Sequence, residues 1–218
     1  MAVAFTDQER ARITADLLDA AERLYASQGL KKTSLEELVA PAGISKASFY
    51  AFFDSKETLY KEVMIRRAPL IAERHSAVFR RPASVESLIE VMRAMTTVLT
   101  ADPFYRRLFT HPDELQAVSR RIGAQEIARV TPYIMTPLLD YIAKGQAQGV
   151  ITRDVEPEIV MGVMRTIGLI VMNRHMYGDT YDTVLAATTN AIARGLVTSN
   201  GDWPRQETPG QRSIGAQR

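Results

Sequence analysis

The sequence predicts an all-α protein, with short helices near its start and longer helices after them. Apolar residues recur at helical spacing through most of the 218 residues, and no stretch shows sustained strand-like alternation. Ser, Thr and Asp stand where these stretches begin, and Gly or Pro stands where they end. We therefore divide the chain into an N-terminal helical domain (residues 1–54), a larger helical domain (residues 55–198) and a Gly-, Gln-, Arg- and Pro-rich tail (residues 199–218) that is expected to be disordered.

The first helix is predicted to begin at Thr6, where Glu9 supplies the acid of a capping box, and to stop at Gly29. One face of this helix is apolar and is expected to be buried; it consists of Ile13, Leu17, Leu18, Ala21, Leu24 and Tyr25.

Two short helices joined through Gly43 predict a helix-turn-helix. Thr33 or Ser34 caps the first, which is expected to end at Gly43, and Ser45 caps the second, which runs to Phe52. Glycine allows the positive φ that ends a helix, so a tight turn sets the second helix across the first. In such a motif the N-terminal residues of the second helix lie nearest the base edges of the DNA major groove.

The rest of the chain is predicted to form longer helices. They are expected from residue 55 to about residue 79, from Ser84 onward, over residues 103–110, over 113–148 with a bend or split at Pro132 and Pro137, over the apolar stretch 157–176, and over 180–198.

Composition limits the class of protein. The chain is 46% hydrophobic and 24% charged, as in soluble globular proteins, and its lack of cysteine excludes disulfides and Cys-based metal sites. The acidic start predicts no signal peptide, and the longest apolar run, residues 159–172, is too short to span a membrane. We expect a cytoplasmic protein without a membrane segment, metal or cofactor.

Charge in the helix-turn-helix region points to a few placed contacts with DNA. The tip of the second helix carries small or cationic side chains at residues 45–48, and Lys46 and Lys56 both lie in first helical turns, where a nearby phosphate would offset the helix dipole. Ordinary exposed surface charge is the alternative interpretation of both lysines. Residues 1–66 contain nine Lys and Arg against ten Asp and Glu, so no general basic field attracts DNA.

Residues from about Arg12 to Tyr60 resemble the N-terminal domain of TetR/AcrR-type transcriptional regulators. The matching positions are Ala20-Ala21, Leu24-Tyr25-Ala26, Gly29, Thr33-Ser34, Leu38, Ala42-Gly43-Ile44-Ser45-Lys46, Phe49-Tyr50, Phe53, Ser55-Lys56-Glu57 and Leu59. The resemblance implies a homodimeric DNA-binding regulator, usually a repressor that a small-molecule effector releases from a palindromic operator. It also implies phosphate contacts from Thr33, Tyr50 and Lys56, and places Ser45, Lys46, Ala47 and Ser48 at or near the bases.

Three residues depart from the family pattern. Pro41 is expected in the last turn of the first motif helix, where it removes a backbone donor. Phe52 stands where His or Tyr is common, and Ala51 is small. These departures affect the detailed contacts with the groove rather than the resemblance.

The C-terminal half is expected to hold a dimer interface and an effector pocket. The helices over residues 157–176 and 180–198 are expected to pair with their symmetry copies, with Gly162 and Gly168 permitting close approach; a monomeric bundle is the alternative. The pocket is expected between the long helices, although plain core is the alternative for each residue: Met92, Met95, Phe109, Tyr133 and Met172.

Two other function classes stay open. The three histidines (His75, His111 and His175) have no metal-ligand spacing and no catalytic motif is present, so an enzyme would need to use carboxylates alone. A helical adaptor for other proteins is the third class, with Trp203 of the tail as a possible anchor. The sequence identifies neither the effector nor the operator, and it leaves repression and activation open.

Overall fold

The computed structural model describes residues 5–120 and 122–197, with the backbone alone at residues 108, 109, 112 and 115. Trp203 and the predicted tail lie outside the described residues. The described residues form helices and one isolated antiparallel bridge between Ile151 and Val197, so the predicted all-α class is confirmed. The α-helices are α1 (Asp7–Ser27), α2 (Gly29–Lys32), α3 (Leu35–Val39), α4 (Lys46–Phe49), α5 (Lys56–His75), α6 (Val85–Ala101), α7 (Pro103–Thr110), α8 (Pro112–Ser119), α9 (Ala124–Ile134), α10 (Thr136–Ala147), α11 (Pro157–Arg165), α12 (Ile167–Met172) and α13 (Tyr181–Leu196).

Side-chain caps fix the starts of the N-terminal helices. Thr6 and Glu9 form the predicted capping box of α1, and Ser34 with Glu37 forms a second box at α3. The Ser45 hydroxyl accepts the Ser48 N–H at 3.1 Å and so caps α4. These caps satisfy amides that a helix leaves without acceptors, which is why helices of only four or five residues form here.

The turn between α3 and α4 differs from its prediction in one respect. Helix α3 ends at Val39, earlier than expected, and Gly43 completes the turn with φ of +65°. Pro41 therefore lies in the turn beyond α3 and not in its last turn. Its missing N–H removes no bond of that helix, which corrects the expectation that Pro41 removes a backbone donor from its last turn.

Prolines and packing divide the C-terminal half into more segments than the sequence predicted. Residues 113–148 form three helices, with α9 giving way to α10 at Met135, and Pro157 begins α11. The single helix predicted over residues 157–176 is instead α11 and α12, separated at Thr166, followed by a 3₁₀ turn over Arg174–Met176.

Two clusters of buried apolar side chains hold these helices together. The first joins α1–α4 to the first half of α5 and to α7 and α8, through residues such as Leu17, Phe49, Tyr60 and Phe104. The second joins α6 to α10–α13. The first cluster thus combines residues from both sides of position 54, whereas the predicted division into domains at that position stays a prediction.

Candidate nucleic-acid interface

The N-terminal end of α4 is exposed, and the buried ring of Phe49 fixes this helix against the core. Phe49 is fully buried and packs against Phe53 at 6.0 Å between ring centroids. Fixing Phe49 inward turns Tyr50 outward, where 57% of the residue is exposed. Lys46 and Ala47 are exposed beside it. The second helix of the motif therefore offers a phenol, an ammonium and a small side chain to a partner.

Lys46 forms an ion pair with Glu36 at the junction of α3 and α4. The Lys46 ammonium donates to Glu36 Oε1, which raises the pKa of Lys46 and lowers the pKa of Glu36. Both side chains are more than half exposed, so the pair contributes little to stability. Its effect is to hold the ammonium at the surface between the two motif helices.

Lys56 has a different environment from the one its sequence position predicted. Its Nζ donates to the carbonyl oxygens of Leu30 at 2.9 Å and Thr33 at 2.5 Å, at the C-terminal end of α2. Because a helix C-terminus carries partial negative charge, these carbonyls offset the unfavourable position of a lysine in the first turn of α5. Contact of Lys56 with a phosphate stays a prediction.

Thr33 lies in the corner between α2 and α3. It is 1% exposed, and its hydroxyl donates to the Gly29 carbonyl at 2.7 Å. Its amide donates to the same carbonyl at 3.2 Å. Both donors are thus engaged within the protein, and a phosphate contact from Thr33 stays a prediction that requires this corner to rearrange.

One basic residue beside the motif was not singled out from the sequence. Arg10 of α1 donates from Nη2 to the Ala51 carbonyl at 3.0 Å, and its guanidinium lies 4.9 Å from the centroid of the Phe52 ring. Phe5 packs on the same ring at 5.4 Å. Phe52 therefore anchors the start of α1 to the segment after α4. The contact spans 41 residues, so no local spacing signals it.

The predicted pocket residues whose side chains the structure describes lie partly in the second core cluster and partly outside it. Met92 is fully buried in the second cluster and Met95 packs against that cluster, but neither Tyr133 nor Met172 belongs to it. Met172 is half-buried and Tyr133 is 43% exposed on α9. The side chain of Phe109 lies outside the described residues.

Tyr133 instead borders a groove between the end of α5 and the junction of α9 and α10. Its cavity volume is about 210 Å³, and its lining consists of Ala72, Glu73, Ser76, Phe79, Pro132, Tyr133 and Pro137. A smaller cavity of about 100 Å³ lies between α6 and α13, lined by Arg93, Thr96, Asp182, Leu185, Ala186, Thr189 and Asn190.

Helix α9 forms one side of the groove, and salt bridges connect it to α5. It has no buried residue. Lys61 donates to Glu126 at 2.7 Å, and Arg129 makes two bonds to Glu62 at 2.7 and 2.8 Å. The Lys61 ammonium and the Gly123 N–H lower the pKa of Glu126 to about 2. The N-terminal part of α9 is thus held by salt bridges, while its C-terminal end faces the groove.

The helices expected to form a dimer interface expose apolar and small side chains. Ile159 is 46% exposed and Leu169 is 59% exposed, and Gly162 between them faces open space. On α13 the exposed residues include Ala187 and Ala191. Isolated exposed apolar residues are normal on a protein surface, but an apolar face at helical spacing is typical of an interface.

In the described part of the chain, His, Asp and Glu side chains form no cluster of three or more that is arranged to hold a metal ion. None of its helices combines the length and apolar character needed to cross a membrane.

The helix-turn-helix lies in the part of the chain that matches a known protein family. Residues 17–63 match the family model described as bacterial regulatory proteins, tetR family. The chain is 20% identical over 185 residues to the HTH-type transcriptional repressor KstR2 of Rhodococcus jostii, covering 84% of this chain and 90% of that protein. It is 37% identical over 73 residues to the HTH-type transcriptional repressor ComR of Escherichia coli, covering 33% of this chain and 35% of that protein.

Solved structures share the fold over most of the chain. A TetR-family transcriptional regulator from Pectobacterium atrosepticum has a TM-score of 0.66 at 19% identity, covering 89% of this chain and 98% of that one. The regulator RolR in complex with resorcinol has a TM-score of 0.62 at 15% identity, covering 88% of this chain and 90% of that one.

Proposed function

We propose that this chain is a transcriptional regulator of the tetR family, and that it acts as a homodimeric repressor that a small-molecule effector releases from a palindromic operator. The observation that carries the proposal is the exposed tip of α4, where Tyr50, Lys46 and Ala47 are presented on a rigidly anchored second motif helix. In a helix-turn-helix these positions face the major groove. Ser45 and Ser48 lie at the same tip and are proposed to contact the bases or their sugars.

Dimerisation is needed because one copy makes few contacts with DNA. An apolar face on each copy is buried well against the same face of its symmetry mate. The two α4 helices of such a dimer are expected to bind half-sites about one turn of the DNA helix apart. The exposed Ile159 and Leu169, with the open space at Gly162, support pairing through α11–α13. Leu169→Asp is expected to raise the dissociation constant of the dimer about 100-fold, because it places a charge in an apolar interface. Analytical sedimentation measures this constant.

Leu70→Asp is the matched control for that variant. Leu70 is 53% exposed on α5, outside α11–α13. The control is expected to sediment as the unmodified protein does. Equal weakening by both changes, or no weakening by either, would contradict the proposed interface.

The effector is proposed to bind between α5 and α9. The groove there is bordered by Phe79, Tyr133 and two prolines, which suits a small organic molecule. RolR, which shares this fold, is solved with resorcinol, a small aromatic compound. Since α5 extends from the groove to the helix-turn-helix, an effector that prefers a shifted α5 would change the separation of the two α4 helices.

Selection from a random duplex library tests the proposed function. We expect enrichment of a two-fold symmetric site at near-physiological salt with excess competitor DNA. Tyr50→Ala combined with Lys46→Ala is expected to abolish enrichment, and Lys46→Ala alone to lower the salt slope by about one per half-site. The control pairs Leu70→Ala with Lys144→Ala, which removes an exposed large side chain and an exposed ammonium at positions away from α4 and from the groove lining.

The selection distinguishes three outcomes. Loss of the site in the Tyr50/Lys46 variant but not in the control supports DNA recognition by α4. The same site selected by both variants would show that another surface binds the DNA. No enrichment with the unmodified protein, with or without a metabolite extract, would overturn the proposed function.

A further inference from the structure

Helix α2 is held from opposite directions by two distant side chains at one residue. The Leu30 N–H donates to Glu114 Oε2 at 3.3 Å, and the Leu30 carbonyl accepts from Lys56 Nζ at 2.9 Å. Glu114 lies 84 residues away in α8, whereas Lys56 begins α5. The backbone of Leu30 therefore connects a carboxylate of the larger helical half with an ammonium beside the helix-turn-helix.

Glu114 is buried and is held in place by an ion pair. It is 2% exposed, and its other oxygen accepts from Arg107 Nη2 at 3.1 Å. The Arg107 guanidinium also lies against the backbone of Gly29, where φ is +82° and an added Cβ would come within 2.0 Å of Arg107 Nε. The start of α2 thus fits directly onto the Arg107–Glu114 ion pair, without space for any larger residue than glycine.

The local chain cannot hold α2 in place by itself. The helix has four residues and no side-chain cap at its start. The amide of its second residue, Leu30, has no acceptor within a helix that begins at Gly29, so Glu114 supplies the acceptor. At the other end, the Leu30 and Thr33 carbonyls hold the Lys56 ammonium.

We propose that Glu114 is a positioning residue for DNA binding, which fixes the Lys56 ammonium by holding α2 through the Leu30 amide. The inference rests on the proposed function, and it adds a defined route by which α8 influences the DNA-binding surface. A displacement of α8 would release α2, and the two carbonyls that hold Lys56 would move with it.

The test compares Glu114→Gln with Glu126→Gln. Each variant replaces the third residue of a helix, and each carboxylate bonds a group from an earlier part of the chain. Glu114 bonds the Leu30 amide of α2, whereas Glu126 bonds the Lys61 ammonium of α5. Glu114→Gln is expected to speed hydrogen exchange at the Leu30 amide about tenfold and to weaken binding to the selected DNA site about fivefold to tenfold. Glu126→Gln is expected to change neither quantity.

A double-mutant cycle with Lys56→Met separates positioning from general stabilisation. If Glu114 acts through Lys56, Glu114→Gln has no further effect on DNA affinity once Lys56 is methionine. Additive losses of affinity would overturn the proposal, because a purely structural defect acts independently of Lys56.

Glu114→Asp guards against misfolding, since it keeps the charge for Arg107 but shortens the reach to Leu30. It is expected to reproduce the exchange and affinity changes of Glu114→Gln. Unchanged Leu30 exchange in both Glu114 variants would overturn the positioning role even if a DNA site is selected. Failure to select any DNA site would instead overturn the proposed function, whatever the exchange shows.

Discussion

The N-terminal helices and the C-terminal helices begin in different ways. In the first four helices, the Thr6, Ser34 and Ser45 side chains cap α1, α3 and α4. None of α10–α13 has a side-chain hydrogen bond at its cap; instead, proline is the second residue of α10 and the first residue of α11. Side-chain caps also begin α5, α6 and α7. Local hydrogen bonds thus position the helices of the first half, whereas proline geometry and tertiary packing position α10–α13.

The N-terminal and C-terminal parts also differ in the large hydrophobic side chains that they expose. Among the described residues, Tyr50 is the one large hydrophobic side chain exposed in α1–α4 and the segment joining α4 to α5; the others are Leu70, Ile127, Tyr133, Ile134, Ile159, Leu169 and Met176. The N-terminal part is therefore closed except at the surface proposed to face DNA. The C-terminal part leaves apolar surface, which we propose to be used by a second copy and an effector. On that proposal, recognition of DNA and regulation use different chemistry.

The largest expected effect comes from removing the anchor of α4. Phe49→Ala is expected to lower the free energy of unfolding by about 3–5 kcal/mol, because it leaves a cavity in the first core cluster. Urea denaturation followed by circular dichroism measures the change. Leu70→Ala, at an exposed leucine of α5, is expected to change that free energy by less than about 0.5 kcal/mol.

A loss of less than about 1 kcal/mol from Phe49→Ala would break the comparison. It would mean that α4 can repack without its buried ring, so caps alone would hold the DNA-binding surface. Such a result would also remove the structural reason for the outward direction of Tyr50.

The sequence predicted the N-terminal helices more closely than their long-range contacts. The cap residues Thr6, Ser34 and Ser45 act within three residues of themselves, so spacing reveals them. By contrast, Lys56 bonds carbonyls 26 and 23 residues away, which no periodicity encodes. The sequence therefore indicated the importance of Lys56 through its position in a first turn but not the groups that satisfy it.

The C-terminal half was predicted in outline. Pro132, Pro137 and Pro157 indicated bends and a helix start because proline acts locally. The interruption at Thr166 has no proline or glycine at the break itself, and the groove beside Tyr133 depends on how α5, α9 and α10 pack. Neither feature follows from periodicity. The methionines expected to line a pocket were therefore not separable from ordinary core residues.

An intermediate effect is expected from removing one cap. Ser34→Ala is expected to lower the free energy of unfolding by about 1 kcal/mol, since the Glu37 amide loses its acceptor. Hydrogen exchange at the Glu37 amide is expected to rise in the same variant. The control is Ser27→Ala, whose hydroxyl bonds carbonyls in the last turn of α1 and caps no amide. Equal effects of the two changes would contradict the importance of caps in this half.

The smallest expected effect tests where α3 ends. Pro41 is exposed in the turn after Val39, so its missing amide costs no helical hydrogen bond. Proline at such a position instead restricts the unfolded chain, and Pro41→Ala is expected to lower the free energy of unfolding by about 0.5 kcal/mol. A gain in stability, measured with urea beside the unmodified protein, would mean that alanine extends α3 through the turn. The short helix would then be limited by its proline rather than by Gly43, whose φ of +65° marks the turn in this structure.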